Sequence, residues 1–188
     1  MTLEQLFWLV LFLLLTATLI SFLWVFAPYF PTRGRHLDLV LKAIDLKPDE
    51  KFYELGCGDG RVSLAVAKAF PKAQVVGLEI AGPLFVWAWL KAKFSGFKNV
   101  SIRWKNIFWQ NLTDADVVYV FGMTESLNDK LKTKFLTDLK PGTRIVSYVF
   151  TMNDWDGKIQ TFQAQTSSKD ATKITVYTMP KKPQDTRP

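Results

Sequence analysis

From Leu6 to Ala27 the chain runs 22 residues without a charge, and beyond it apolar and polar positions alternate in short blocks. A helix rises about 1.5 Å per residue, so the first run matches the roughly 30 Å hydrocarbon core of a bilayer. A cleaved signal peptide would start with basic residues and end at small ones. This chain starts with Glu4 and closes the run with Trp24-Val25-Phe26-Ala27-Pro28-Tyr29. The expectation is therefore a permanent transmembrane anchor over 1–27, rather than a signal peptide or a buried helix. After it the pattern predicts strands at Phe52–Leu55, Val75–Glu79, Val100–Trp104, Val117–Phe121 and Arg144–Phe150. Helices are predicted at Arg61–Phe70, Pro83–Phe94 and Ser126–Leu139, the last with Leu127, Leu131, Phe135 and Leu139 in the core. Alternating strands and helices give a parallel sheet flanked by helices. The last two strand-like runs, Lys158–Gln165 and Lys173–Thr178, are separated only by polar residues and predict a terminal hairpin. The resulting plan is an anchor (1–27), a juxtamembrane segment with a first helix (28–47), one domain (48–180) and a Pro-rich polar tail predicted to be disordered (181–188).

The chemistry gathers where predicted strands end. Residues 54–61 read Glu-Leu-Gly-Cys-Gly-Asp-Gly-Arg between a strand and a helix. Gly56, Gly58 and Gly60 let the backbone turn sharply and let a ligand approach its N–H groups. A dinucleotide site more usually shows G-x-G-x-x-G under a pyrophosphate. Here Glu54 and Asp59 crowd the turn and would repel that anion; a ligand carrying an amine and a sulfonium suits them better. The next strand ends in Glu79, whose carboxylate can accept both hydroxyls of a ribose. The third leads to Lys105-Asn106-Ile107-Phe108, where the amide oxygen of Asn106 could accept an exocyclic adenine amine. Three such signals after three successive strands point to S-adenosylmethionine.

These residues resemble the class I, seven-strand methyltransferases. The likeness narrows to protein-lysine methyltransferases related to the mitochondrial ATP-synthase c-subunit enzyme and to archaeal broad-specificity lysine methyltransferases. It spans about Ala27 to Trp155. It rests on the glycine turn, on Pro28-Tyr29-Phe30-Pro31-Thr32, on Asp114-Ala115-Asp116-Val117-Val118-Tyr119, and on Leu139-Lys140-Pro141-Gly142-Thr143-Arg144-Ile145-Val146-Ser147 with Phe150 and Trp155. Asn106 stands where many class I enzymes carry Asp, and Ser147-Tyr148-Val149-Phe150 replaces a Ser-His-Glu-Phe stretch of archaeal relatives. The resemblance implies an α/β fold: a Rossmann-like seven-strand sheet whose terminal hairpin gives it an antiparallel edge, preceded here by one transmembrane helix. It implies cofactor contacts from Glu54, Gly56, Gly58, Asp59, Gly60, Glu79, Asn106 and Ile107. Tyr119, Met123 and Thr124, with Tyr29 and Thr32 above them, would surround the methyl-transfer end; Tyr119, Thr124 and Tyr29 are the catalytic candidates, and none is assigned as a base. The expected activity is N-methylation of lysine on a membrane-associated protein. A lipid or quinone substrate, or a non-catalytic cofactor-binding module, remains an alternative.

Charge sets the orientation. All 24 Lys and Arg follow the apolar run against 16 of the 17 acids, a net +8 on that part. Arg33 and Arg35 come directly after the run, so the positive-inside rule places the catalytic domain on the cytoplasmic side of a single-pass membrane protein. The excess charge suits anionic headgroups or a solvated surface. Without an Arg-rich run, zinc spacing or aromatic RNA-binding motif, nucleic acid is not expected as a partner. The chain is expected to be a monomer and to hold no metal. Cys57, the only cysteine, reads as a small packing residue. His36, the only histidine, reads as solvated or headgroup-facing, and most of the seven tryptophans, Trp87 and Trp89 among them, as core or membrane-interface residues.

Overall fold

A computed structural model describes residues 1–24, 31–121, 125–149, 151–152, 154–163 and 173–180, with the side chains of 19–24 and 125–128 left aside. Tyr29, Met123, Thr124 and Phe150, and the tail 181–188, lie outside the described residues, as does the side chain of Leu127.

Seven strands form one sheet: β1 (Lys51–Leu55), β2 (Gln74–Glu79), β3 (Val100–Trp104), β4 (Val117–Phe121), β5 (Arg144–Tyr148), β6 (Ile159–Gln163) and β7 (Lys173–Thr178). Their order is β3-β2-β1-β4-β5-β7-β6. The first five pair in parallel, while β7 runs antiparallel to both β5 and β6. The chain steps outward from β1 to β3 and then returns to lay β4 on the other side of β1. That reversal opens a crevice at the C-terminal ends of β1 and β4, the usual ligand position in such sheets.

The helices are α1 (Leu3–Trp24), α2 (Leu37–Ile44), α3 (Arg61–Ala69), α4 (Gly82–Phe94) and α5 (Glu125–Asp138). Near-continuous β-branched runs such as Val117-Val118 and Val75-Val76 are buried, as strands covered on both faces must be. On one face Val40, Ile44, Val62 and Val66 of α2 and α3 pack on Phe52, Val75, Val117 and Tyr119. On the other, Leu131 and Phe135 of α5, with Leu139 just after it, pack on Tyr53, Leu55, Val118 and Ile145. Each such side chain contributes about 1.5–3 kcal/mol through burial. At the N-terminal ends of the strands, ion pairs Lys51–Asp114, Lys140–Asp116 and Arg144–Glu50 close the sheet. The Asp114-Ala115-Asp116 motif therefore sits at the end away from the crevice and is structural.

One boundary differs from expectation for a visible reason. β5 stops at Tyr148 because Val149, a β-branched residue, takes φ 78 in the left-handed region and turns the chain out of the sheet. In the hairpin, β6 is described over Ile159–Gln163, the last two positions of its predicted run lying outside the described residues, and β7 runs over Lys173–Thr178 as expected. The transmembrane span expected over 1–27 is not found as such: among the described residues no helix is long and apolar enough to cross a membrane. The helix α1 does form; it carries Glu4 in its first turn, and its described side chains end at Thr18. Those side chains leave Phe7, Trp8, Phe12, Leu13, Leu14 and Leu15 exposed.

Candidate cofactor site

The turn after β1 is shaped by glycine conformations that other residues adopt at a cost. Gly56 and Gly60 both sit at φ 74. A Cβ on Gly56 would meet nothing within 4 Å, so open space lies beside it. A Cβ on Gly60 would come within 3.1 Å of Ala88 Cβ, so Gly60 is where α3 and α4 approach each other. Gly58, at φ 54, donates its N–H to Glu79 Oε2 at 2.7 Å. The other oxygen of Glu79 accepts from the N–H groups of Ile80 and Ala81, both at 2.8 Å. Glu79 is buried, and it ties the glycine turn to the end of β2.

Glu54 is the second buried acid. Its Oε2 accepts from the backbone N–H of Ser63 at 2.8 Å and from the Ser63 hydroxyl at 2.5 Å. Burial pushes the carboxyl up to about 8, against the two Ser63 bonds that favour its ionised form; Asp59 and Glu79 raise it further. A cationic group arriving at Glu54 would relieve that penalty. Ser63 reaches the acid because Gly77 lies behind it: a Cβ on Gly77 would fall 2.8 Å from Ser63 Oγ, 2.7 Å from Ile102 Cδ1 and 3.0 Å from Cys57 Sγ. Cys57 is buried in that packing, and burial pushes its thiol well up, so it is a packing residue as expected.

Asp59 is engaged by two cations of the protein. Its carboxylate accepts from Arg61 Nε at 2.9 Å, Arg61 Nη2 at 3.1 Å and Lys91 Nζ at 3.1 Å. Burial works against ionising Asp59, but the Arg61 and Lys91 bonds outweigh it and hold the carboxyl below its ordinary value. Both oxygens thus clamp α3 and α4 to the turn. Asn106 also has a partner within the protein: its Oδ1 accepts from Phe108 N–H at 2.9 Å and caps the 3₁₀ turn Ile107–Trp109. Ile107 is half-buried in that turn. Ile80, which sequence reasoning passed over, is an exposed apolar residue directly after Glu79, its carbonyl held by Trp104 Nε1 at 2.8 Å. Ile80 and Ile107 follow adjacent strand ends and offer apolar surface for a planar ring.

Beyond β1, a polar file lies over β4 and β5. Tyr119 OH is 2.8 Å from Thr32 Oγ1, and Tyr148 OH is 2.7 Å from His36 Nδ1. All four residues are buried. Arg61 also donates to the Thr32 carbonyl at 3.2 Å, joining this file to the glycine turn. Burial pushes the Tyr119 phenol well above its ordinary value, so it stays neutral and acts as a hydrogen-bonding wall. His36 is the clear correction: expected at the surface, it is inside, because the chain from Thr32 to His36 folds back across the sheet ends. Trp87 and Trp89 are exposed, which removes the core reading for both.

The open glycine cradle, a buried carboxylate at the end of β2 and a second, cation-seeking acid at the end of β1 together fit S-adenosylmethionine, and the seven-strand mixed sheet around them is that of a class I methyltransferase. The comparisons narrow this further. The model of the ANTKMT methyltransferase domain matches residues 54–159, and the chain belongs to that family of S-adenosylmethionine-dependent methyltransferases. A protein-lysine N-methyltransferase of Saccharolobus islandicus (strain REY15A) is 36% identical over 132 residues, 70% of this chain and 81% of the relative. Among solved structures, an RNA methyltransferase from Salinibacter ruber in complex with S-adenosyl-L-homocysteine superposes with TM-score 0.73 at 29% identity, over 83% of this chain and 97% of that one. A Thermotoga maritima O-methyltransferase, TM-score 0.66 at 14% identity over 84% and 69% of the two chains, shares the fold.

Proposed function

We propose that this enzyme methylates lysine side chains of membrane-associated proteins, held at the membrane by α1 with its catalytic domain on the cytoplasmic side. The single observation that carries the substrate class is the 36% identity to an archaeal enzyme named as a protein-lysine N-methyltransferase. The exposed Leu, Phe and Trp side chains all round α1 support the membrane location, since a lone apolar helix in water is unfavourable. Glu79, Glu54, Gly56 and Gly58 would hold the cofactor, with Ile80 and Ile107 against its ring. When bound, S-adenosylmethionine supplies a methyl group already activated by its sulfonium. The protein's part is alignment, which can supply effective molarities on the order of 10⁵ M or more.

A lysine must first lose a proton from an amine whose free pKa is about 10.4. Desolvation against the buried wall Thr32–Tyr119 and His36–Tyr148 favours the neutral amine. Tyr119, kept neutral by burial, orients rather than accepts the proton. The resemblance to an RNA methyltransferase gives the test a second arm. Full-length protein, labelled methyl donor, membrane fractions and total RNA are incubated together, and label is followed into protein, organic extract and RNA. Label in lysine of membrane proteins, lost with Gly58→Val, is the expected result. Label confined to lipid or to RNA would replace this reading.

A further inference from the structure

We infer that the β3–α4 edge of the domain is a lipid-contacting surface that lies on anionic headgroups beside α1. Between Glu79 and Asp114 the sequence holds no acid at all, but it holds Lys91, Lys93, Lys98, Arg103 and Lys105 and four of the seven tryptophans. The fold puts this stretch on one edge, because β3 is the outermost strand and α4 packs beside it. Outward-facing apolar side chains are unusually large there: Trp87 is 57% exposed, Trp104 67% and Phe94 79%, with Val86 and Trp89 also exposed. The two elements form one surface, since Trp104 stacks on Phe85 with ring centroids 6.2 Å apart.

The chemistry selects a bilayer interface as the occupant. Trp, with an apolar ring and one N–H, concentrates at the headgroup level. Lys93 lies 4.9 Å over the Trp89 ring, and Lys98, Arg103 and Lys105 are exposed around the aromatic patch. Basic residues beside an anionic leaflet are drawn to its negative surface potential. The patch is also continuous with the apolar helix, because α1 touches α4. A surface built for single-stranded nucleic acid shares the bases and rings, but has no use for Val86 and Phe94 or for an adjoining helix that is apolar on every face. The proposal rests on α1 being in the membrane. It adds that the domain does not swing freely but lies with the β2–β3 end of its crevice, where α4 begins at Gly82, against the headgroups.

Site-directed spin labelling tests it on the full chain. Cys57 is buried, so single cysteines at Phe94→Cys, Phe12→Cys and Gln160→Cys can be labelled selectively. The protein is reconstituted in vesicles of equal parts phosphatidylcholine and phosphatidylglycerol. The expected result is relaxation dominated by lipid-soluble oxygen at positions 94 and 12, and by a water-soluble nickel chelate at 160 on the far edge. In pure phosphatidylcholine the label at 94 should shift toward the aqueous reagent. Oxygen-dominated relaxation at 12 with water-like behaviour at 94 would overturn the lipid edge and leave the anchor standing. Water-like behaviour at both would overturn the membrane reading and this proposal together. A label at 94 immobilised by added single-stranded RNA but unaffected by vesicles would assign the edge to nucleic acid instead.

Discussion

Replacing Glu54 by Gln keeps the shape of a buried side chain and removes its titration. The amide oxygen can still accept from the N–H and hydroxyl of Ser63, now 2.8 and 2.5 Å from the carboxylate. The wild-type carboxyl has its pKa pushed by burial from 4.5 to about 8. Below pH 4.5 the folded and unfolded states are both protonated and the group costs nothing. Between 4.5 and 8 the unfolded chain ionises while the folded one holds its proton, so this residue removes about 1.4 kcal/mol of stability per pH unit as pH rises. Above 8 both states are charged and the cost stops growing. From pH 5 to pH 9 the wild type should therefore lose about 4 kcal/mol relative to Glu54→Gln, about 10 °C in melting temperature for a chain of this size. Urea unfolding followed by circular dichroism, both proteins in the same detergent, measures the gap, and the other titrating groups cancel in the difference. The cofactor should respond in the opposite sense. Its ammonium favours the ionised acid, so affinity should rise with pH up to about 8, by as much as about tenfold per unit, and stay flat in the variant. A stability gap that is the same at pH 5 and pH 9 would refute the argument, because it would mean that Glu54 is already ionised in the folded protein.

Glu79→Ala should weaken donor binding by about 1.5–3 kcal/mol, because three backbone N–H groups lose their acceptor along with any ribose contact. Calorimetry would show a tenfold or greater rise in Kd, and an unchanged Kd would mean the turn holds its shape without this acid. Gly77→Ala places a Cβ at 2.7–3.0 Å from Ile102, Ser63 and Cys57; urea unfolding should show an overpacking loss of about 1–3 kcal/mol, and donor binding should weaken as Ser63 is displaced from Glu54. Tyr119→Phe should leave the donor Kd and the pH limbs of kcat in place while raising KM for the methyl acceptor, since only the bond to Thr32 is lost; a moved alkaline limb would identify Tyr119 as the proton acceptor.

The hydrophobic pattern carried the sheet. β3 and β4 begin and end where alternation and β-branched runs predict, and Gly56, Gly58 and Glu79 come together because two parallel strands end side by side. The pairing of polar groups was not legible in the same way. Asp59 and Glu54 look alike as acids beside a glycine turn, but one is clamped by Arg61 and by Lys91 from another helix, and the other, among the described residues, is met by Ser63. That difference depends on Gly77 and Ala88, small residues on other elements, whose role is visible only when the elements are packed. His36 went astray for a related reason: its partner, Tyr148, is 112 positions away, and no local pattern reports it. The tryptophans of α4 follow no helical period that separates inside from outside, so only the fold could place them.

The ion pairs that close the N-terminal ends of the strands, Lys51–Asp114, Lys140–Asp116 and Arg144–Glu50, sit a full strand length from the crevice. Each is partly exposed and worth about 1 kcal/mol or less. Reversing, removing or multiplying them would adjust how tightly the sheet is fastened without moving Glu54, Glu79 or the glycine turn. One end of the molecule can thus drift with temperature or salt while the other keeps its geometry, and a designer wanting a sturdier version of this enzyme has a place to work at the opposite end of the strands from the glycine turn.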